Sequence, residues 1–393
     1  MKRHCRVTQA VKLSCHSIQQ LFFYAMSAPS LTRLVGSLPS TVPFVGPETQ
    51  ERQLERAFLA RVGANESVFG PSPKVTAAIA EMATDIWRYG DPETFDLKAA
   101  LATKHGVSSK NIVIGEGIDG VLGNLVRLFV EPDVAVVTSD GAYPTFNYHV
   151  AGFGGDLLKV PFSNDHEDPD ALLEKARMSG ARLVYLSNPN NPMGSFHQPA
   201  IIEKMVSDLP DGCLLCLDEA YADFVDEDEL PAIPADHPQV IRFRTFSKAY
   251  GLAGIRIGYA ITNAPLADAF NRIRNHFGVN IIGQAAALAA LDDTAHQRSV
   301  RSAVAESLSH IADIAGDNDC HALPTRSNFI AIDCGRDGNF AGRVLASLID
   351  QGIFVRMPGV APLNRCIRVS AGTPEDVGLF KTAFPQALQV AAR

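Results

Sequence analysis

The chain has 393 residues, 46% of them hydrophobic, and a formal net charge of -8. That length exceeds one ordinary core, so a large domain and a smaller one are expected. The acidic balance, without any basic stripe interleaved with aromatics, argues against nucleic-acid binding, and no apolar run is long enough to span a membrane.

From Met1 to Pro47 there is no Asp or Glu, while Lys2, Arg3, Arg6, Lys12 and Arg33 are basic. Residues 1–25 read as an extension outside the fold, with Met26-Ser27-Ala28-Pro29 resembling a natural start. Residues 26–64 read as an N-terminal arm rich in Pro, Gly and Ser. The turn-rich loop from Ala64 to Pro73 then leads into a helix carrying Val75, Ile79 and Met82 at helical spacing. A second loop, Trp87-Arg88-Tyr89-Gly90-Asp91-Pro92, leads into a helix around Thr94 to His105.

A parallel-sheet rhythm starts at the short strand Asn111-Ile112-Val113-Ile114. Gly115-Glu116-Gly117-Ile118-Asp119-Gly120 follows, and then a helix with Val121, Leu122, Leu125, Leu128 and Phe129 on one face. Strand, glycine turn and helix N-terminus make a physical anion site, because unpaired N–H groups point at the ligand. Further strands are predicted at Val134 to Thr138, Leu183 to Ser187, Cys213 to Leu217, Val240 to Thr245 and Arg256 to Ile261. Helical patterns between several of them predict an α/β fold with a mostly parallel sheet covered by helices.

After about residue 265 the texture changes. A long Ala-rich helical stretch covers Gln284 to Asp313, and short strands are predicted near Phe329 to Ile332, Ile353 to Arg356 and Cys366 to Ser370. The expected division is a large domain over 65–265 and a small α+β C-terminal domain over 266–393.

The seven cysteines form no disulfide framework, and an odd count in so long a chain suits a reducing cytoplasm. Cys213 and Cys216 have C-x-x-C spacing within an apolar run. Residues three apart on a strand face opposite sides, so two buried core thiols are expected there, not a redox or metal site.

Four patterns carry chemistry. Asn188-Pro189-Asn190-Asn191-Pro192-Met193-Gly194 follows one predicted strand, and Asp218-Glu219-Ala220-Tyr221 closes another. Ser247-Lys248 lies just past a third strand, with Arg256 eight positions beyond Lys248, and Arg368 lies within a fourth. Open α/β sheets hold ligands at such strand ends. An amine beside a serine and an arginine suits a cofactor with both an aldehyde and a phosphate, namely pyridoxal 5'-phosphate (PLP). A surface lysine beside a structural arginine is the bland alternative. An acid after a buried strand is costly without a cationic partner, and a protonated pyridine nitrogen is one.

Together these residues resemble class I/II (fold type I) PLP-dependent aminotransferases, in the histidinol-phosphate aminotransferase-like branch, over roughly residues 60–375. The resemblance implies that Lys248 bonds to the cofactor aldehyde and then moves the proton at substrate Cα. It implies that Asp218 pairs with the ring nitrogen, that Tyr221 and Asn191 hold the ring oxygen, and that Phe146 stacks on the ring face. The phosphate falls to the Ile118 and Asp119 backbone, Ser247, Arg256 and Tyr89, the tyrosine reaching into the site of the other subunit of a homodimer. Arg368 grips the substrate carboxylate, and Arg356 matches an arginine used on a distal phosphate. Met193 departs from the usual threonine of its turn, and Gly117-Ile118-Asp119-Gly120 is less polar than the family pattern. The implied activity is transfer of an amino group between an L-amino acid and a 2-oxoacid such as 2-oxoglutarate. A PLP-dependent decarboxylase of a phosphorylated amino acid is the alternative on the same scaffold.

Overall fold

The computed structural model describes residues 29–40 and 45–393. The extension expected over 1–25 and the start at Met26 lie outside the described residues. Residues up to Pro39 form a unit of their own. Its described part holds one short helix, α1 (Arg33–Ser37), whose Thr32 hydroxyl accepts from the Val35 N–H as an N-cap.

In the unit from Ser40 onward, the strands in chain order are β1 (Ala60–Arg61), β2 (Ile112–Gly115), β3 (Ala135–Ser139) and β4 (Asp156–Val160). They continue with β5 (Leu183–Ser187), β6 (Leu214–Asp218), β7 (Val240–Thr245) and β8 (Gly258–Thr262). The last four are β9 (His321–Ala322), β10 (Phe329–Asp333), β11 (Ile353–Phe354) and β12 (Cys366–Ser370). The main sheet has the order β2-β8-β7-β6-β5-β3-β4. All its pairings are parallel except those of β8, which runs antiparallel to both β2 and β7. The mostly parallel sheet is therefore as the sequence predicts. Strand β4 was not foreseen, because its pattern, Asp156-Leu157-Leu158-Lys159-Val160, is half polar and belongs to a sheet edge.

Helices cover both faces. The helices of this part of the chain are α2 (Pro47–Leu54), which lies apart from the main sheet, and α3 (Pro73–Met82), α4 (Phe95–His105), α5 (Gly117–Phe129), α6 (Pro144–Gly152), α7 (Pro169–Ser179) and α8 (Pro199–Ser207). One face of the sheet packs on α5 and α6 through Val121, Leu125, Phe146 and Val150. The other packs on α7 and α8 through Leu172, Leu173, Ile202 and Met205. Cys216 belongs to the first of these cores and Cys213 to the second, so the two thiols face opposite ways and both are buried.

The C-terminal third adds α9 (Ala264–Ala269), α10 (Ile281–Leu291), α11 (Thr294–Gly316), α12 (Gly338–Asp350) and α13 (Pro374–Ala391). The long helical stretch predicted from Gln284 is two helices. Asp293 caps the second, its carboxylate accepting from the His296 N–H, and so forces the break. The alanines of α10 share a core with α3 and α4, on the side of the large sheet. A separate core begins with α11 and includes α12, α13 and strands β10 and β12. Ala60 and Val62, from the segment read as an arm, lie in this second core, and β1 pairs in parallel with β11.

Candidate active site

The carboxyl ends of β5, β6 and β7 open onto one cavity of about 500 Å³. It is lined by Asn191, Asp218, Tyr221, Ser247, Lys248, Arg256 and Arg368, and by Ile118 and Asp119 at the start of α5. Separate strand ends thus bring together residues far apart in the chain, as the parallel order requires.

Lys248 follows β7. Its Nζ donates to the Asn65 carbonyl at 3.1 Å and stands 5.8 Å from the Tyr221 ring centroid. Burial, reinforced by the Arg368 charge, lowers its pKa to about 8. At neutral pH the amine is therefore still mostly protonated, but its neutral, nucleophilic fraction is far larger than that of an ordinary lysine.

Asp218 ends β6 and is 4% exposed. Its carboxylate accepts from the Tyr185 hydroxyl at 2.6 Å and from the Ala220 N–H at 2.9 Å. Burial raises its pKa to about 6, and no lysine, arginine or histidine pairs with it among the described residues. Its neighbour Glu219 takes the cations instead, binding both Arg242 and Arg244. A buried carboxylate facing a cavity with no cation of its own is a seat for a cationic ligand atom.

The opposite end of the cavity is built for an anion. Gly117 opens α5 with φ +77, and a Cβ there would come 2.7 Å from Arg256 Nη2. A Cβ on Gly258 would come 2.6 Å from the Ile118 nitrogen. Both glycines are needed for the helix N-terminus and the guanidinium to share one place. Arg256 Nη1 donates to the Ala253 carbonyl at 3.0 Å, and Nη2 stands 3.8 Å from Asp119 Oδ2.

On the small-sheet side, Arg368 donates from Nη1 to Asn191 Oδ1 at 2.6 Å and from Nη2 to the Gly63 carbonyl at 3.3 Å. Its Nε is buried and has no hydrogen-bond partner. Burial lowers its pKa to about 10, with Arg356 among the causes. Arg356 is not among the cavity-lining residues. It stands opposite Arg368 in an antiparallel bridge, and its Nη2 donates to the Val45 carbonyl.

One expectation is corrected. Phe146 is fully buried, stacks on Tyr185 at 4.6 Å and belongs to the core beneath the sheet, so it does not face the cavity. It sits one helical turn from Val150 on the buried face of α6. Tyr143, the residue before Pro144, lines the cavity instead, its hydroxyl donating to Asp119 Oδ1 at 2.9 Å. The i, i+4 pairing of Phe146 with Val150 was the signal that could have separated the two aromatics.

Tyr89 is 77% exposed and stacks on Phe277 at 4.4 Å, away from the cavity of its own chain. Met193 is fully buried in a small core with Leu323 and Leu363, which explains the loss of a threonine there as packing. Sequence reasoning missed Asn65 and Tyr185, one in a loop and one inside a strand, because neither stands in a motif.

An amine, an uncompensated acid and an anion cradle on the ends of a mostly parallel sheet define a fold type I transferase. The family model for aminotransferase class I and II matches residues 60–381, and the chain belongs to that family. It is 32% identical over 366 residues to a histidinol-phosphate aminotransferase of Moorella thermoacetica, covering 92% of this chain and 94% of that one. It is also 32% identical to histidinol-phosphate aminotransferase 2 of Pseudomonas aeruginosa, covering 93% of this chain and 98% of that one. A crystal structure of the Sinorhizobium meliloti histidinol-phosphate aminotransferase in complex with pyridoxal-5'-phosphate superposes with a TM-score of 0.89 at 50% identity, covering 92% and 98%.

Proposed function

We propose that this aminotransferase uses PLP to move the amino group of histidinol phosphate, or of an aromatic or similar L-amino acid, to a 2-oxoacid such as 2-oxoglutarate. The carrying observation is the pairing of Arg356 with Arg368. Side chains directly opposite in an antiparallel bridge share a face, and the Arg356 charge is felt at Arg368, so an anion near the pair would meet two positive charges. Two guanidinium groups suit a dianionic phosphate better than a lone carboxylate.

The cavity fits PLP at each end: the cradle of Gly117, Ile118 and Arg256 suits a phosphate, and the lone Asp218 suits a ring nitrogen. When bound, PLP supplies an aldehyde for amine exchange and a ring that takes up the electrons released at Cα. Lys248 supplies the amine that holds it and carries the proton at Cα. Asp218 keeps the ring nitrogen protonated, and Tyr221 and Asn191 hold the ring oxygen. Ser247, Arg256, the Ile118 and Asp119 N–H groups and Tyr89 of the partner subunit hold the phosphate. Arg368 orients the substrate anion and Arg356 extends that grip. The exposure of Tyr89 leaves it accessible to a second subunit, in keeping with a homodimer that shares its sites.

A panel of amino donors with 2-oxoglutarate tests the reading, including histidinol phosphate, aromatic amino acids and phosphorylated small amino acids. The expected outcome is glutamate and keto product in equal amounts, with histidinol phosphate the best donor. Release of CO2 without keto product would instead favour the decarboxylase alternative.

A further inference from the structure

Asn65 adopts the left-handed backbone conformation, with φ 56, in the loop between β1 and α3. It is 2% exposed and lines the active-site cavity. Among non-glycine residues asparagine is several-fold enriched there, so glycine would satisfy the backbone alone. Its other groups therefore need a reason.

All of them are engaged at the site. The Asn65 carbonyl accepts from Lys248 Nζ at 3.1 Å and from Asn328 Nδ2 at 3.1 Å. Its N–H donates to Ser370 Oγ at 3.1 Å, and that hydroxyl donates to Asn65 Oδ1 at 3.1 Å. Because Ser370 Oγ accepts the N–H, its own hydrogen goes to Oδ1, which fixes the amide orientation. The amide nitrogen is thereby turned onto Tyr221, donating to its hydroxyl oxygen at 2.9 Å. An oxygen that accepts from Asn65 keeps its own hydrogen for another acceptor, and Tyr221 lines the cavity.

We propose that Asn65 is a positioning residue for the transamination: its amide directs the Tyr221 hydroxyl hydrogen into the cavity while its carbonyl holds the Lys248 amine. Ser370 stands two residues from Arg368 on β12, so the same asparagine links the strand of the substrate-binding arginine to the catalytic amine. The inference rests on the PLP reading given above.

The readout is the pH midpoint of the visible absorbance change of the PLP-loaded protein, with retention of PLP on gel filtration as a second measurement. The charged groups around Lys248 and Tyr221 are Arg368, Arg256, Asp119, Glu66 and Asp218, and none of the variants below removes one. A hydrogen bond donated by Tyr221 to the ring oxygen drains negative charge that otherwise favours protonation of the linked nitrogen. Losing that donation therefore raises the midpoint.

Asn65→Gly keeps the left-handed backbone and the carbonyl but removes the amide, and should raise the midpoint by about half a unit or more. Asn65→Asp, which accepts from Tyr221 instead of donating, should raise it further. In a Tyr221→Phe background, Asn65→Gly should add nothing, because the effect passes through the phenol. Ser370→Ala, which frees the amide orientation, is the milder variant if Asn65→Gly does not fold, and should move the midpoint the same way.

An unmoved midpoint in Asn65→Gly overturns the proposal, as does a full additional shift in the Tyr221→Phe background. A rise in Asn65→Asp alone would be a charge effect and overturns it equally. A wild-type protein that takes up no chromophore sinks the PLP reading and this inference together. A coloured wild type with unmoved variants sinks this inference alone.

Discussion

Arg368 Nη1 lies 2.6 Å from Asn191 Oδ1, a bond that ties strand β12 of the small sheet to the turn after β5 of the large one. The cavity-lining guanidinium is thus held in place from the large sheet. One hydrogen of each Nη is taken by Asn191 or the Gly63 carbonyl, and the buried Nε has no hydrogen-bond partner. Preorganisation of this kind lowers the entropy cost of binding.

Arg368→Lys keeps the charge but loses the planar fork. KM should rise about ten- to a hundredfold for every amino donor, the worth of a hydrogen bond to an ionised group. Arg356→Ala should raise KM for histidinol phosphate in the same range and leave neutral aromatic donors nearly untouched. Steady-state kinetics with both donor types checks the pair. Equal damage to all donors by Arg356→Ala would mean that it serves domain closure instead.

Lys248→Ala should abolish the covalent link, leaving PLP removable by gel filtration and turnover lost. The depressed pKa adds a pH signature. The neutral amine accumulates as pH rises through about 8, not through the ordinary lysine range. The rate at which cofactor-free protein takes up PLP should therefore climb with pH and level off above that value, followed by absorbance after mixing. Unchanged turnover in the variant would sink the assignment.

Asp218→Asn separates catalysis from stability. Turnover should fall at least about a hundredfold, because a neutral amide does not hold the ring proton. The cofactor-free variant should nevertheless be more stable than wild type above pH 6. The folded-state pKa is raised from 3.8 to about 6, so ionisation destabilises the fold from about pH 4 upward and the penalty is complete above pH 6. The gain should reach about 1–3 kcal/mol at pH 7.5 and shrink at pH 5. Chemical denaturation at the two pH values measures it.

The two aromatics before and within α6 should behave oppositely. Phe146→Ala empties a packed core and should cost about 3–5 kcal/mol of stability. Tyr143→Ala touches the cavity wall and should weaken PLP retention with a smaller loss of stability. Thermal unfolding of the cofactor-free proteins and a PLP titration distinguish them.

Local pattern carried much of the fold. Strands β5, β7 and β12 have the predicted bounds, and α3 begins at Pro73 as expected, because buried parallel strands are unbroken apolar runs and helices start at capped prolines. The ends of β5, β6 and β7 could be read for chemistry for the same reason: a polar motif after an apolar run marks a strand end. Strand β4 and the break at Asp293 escaped, since edge strands alternate weakly and a cap within an Ala-rich run leaves little periodic trace.

What the sequence by itself determined is the set of chemical groups: the Lys248 amine, the Asp218 acid, the Arg256 and Arg368 guanidinium groups and the strand ends that carry them. Only the tertiary structure decided which aromatic faces the cavity, because helical phase turns Phe146 inward and leaves Tyr143 at the rim. It alone placed Arg356 beside Arg368 and Asn65 between Lys248, Tyr221 and Ser370. Those contacts join residues more than a hundred positions apart in most cases, and long-range geometry of that kind is fixed by packing of the two cores, not by any local spacing.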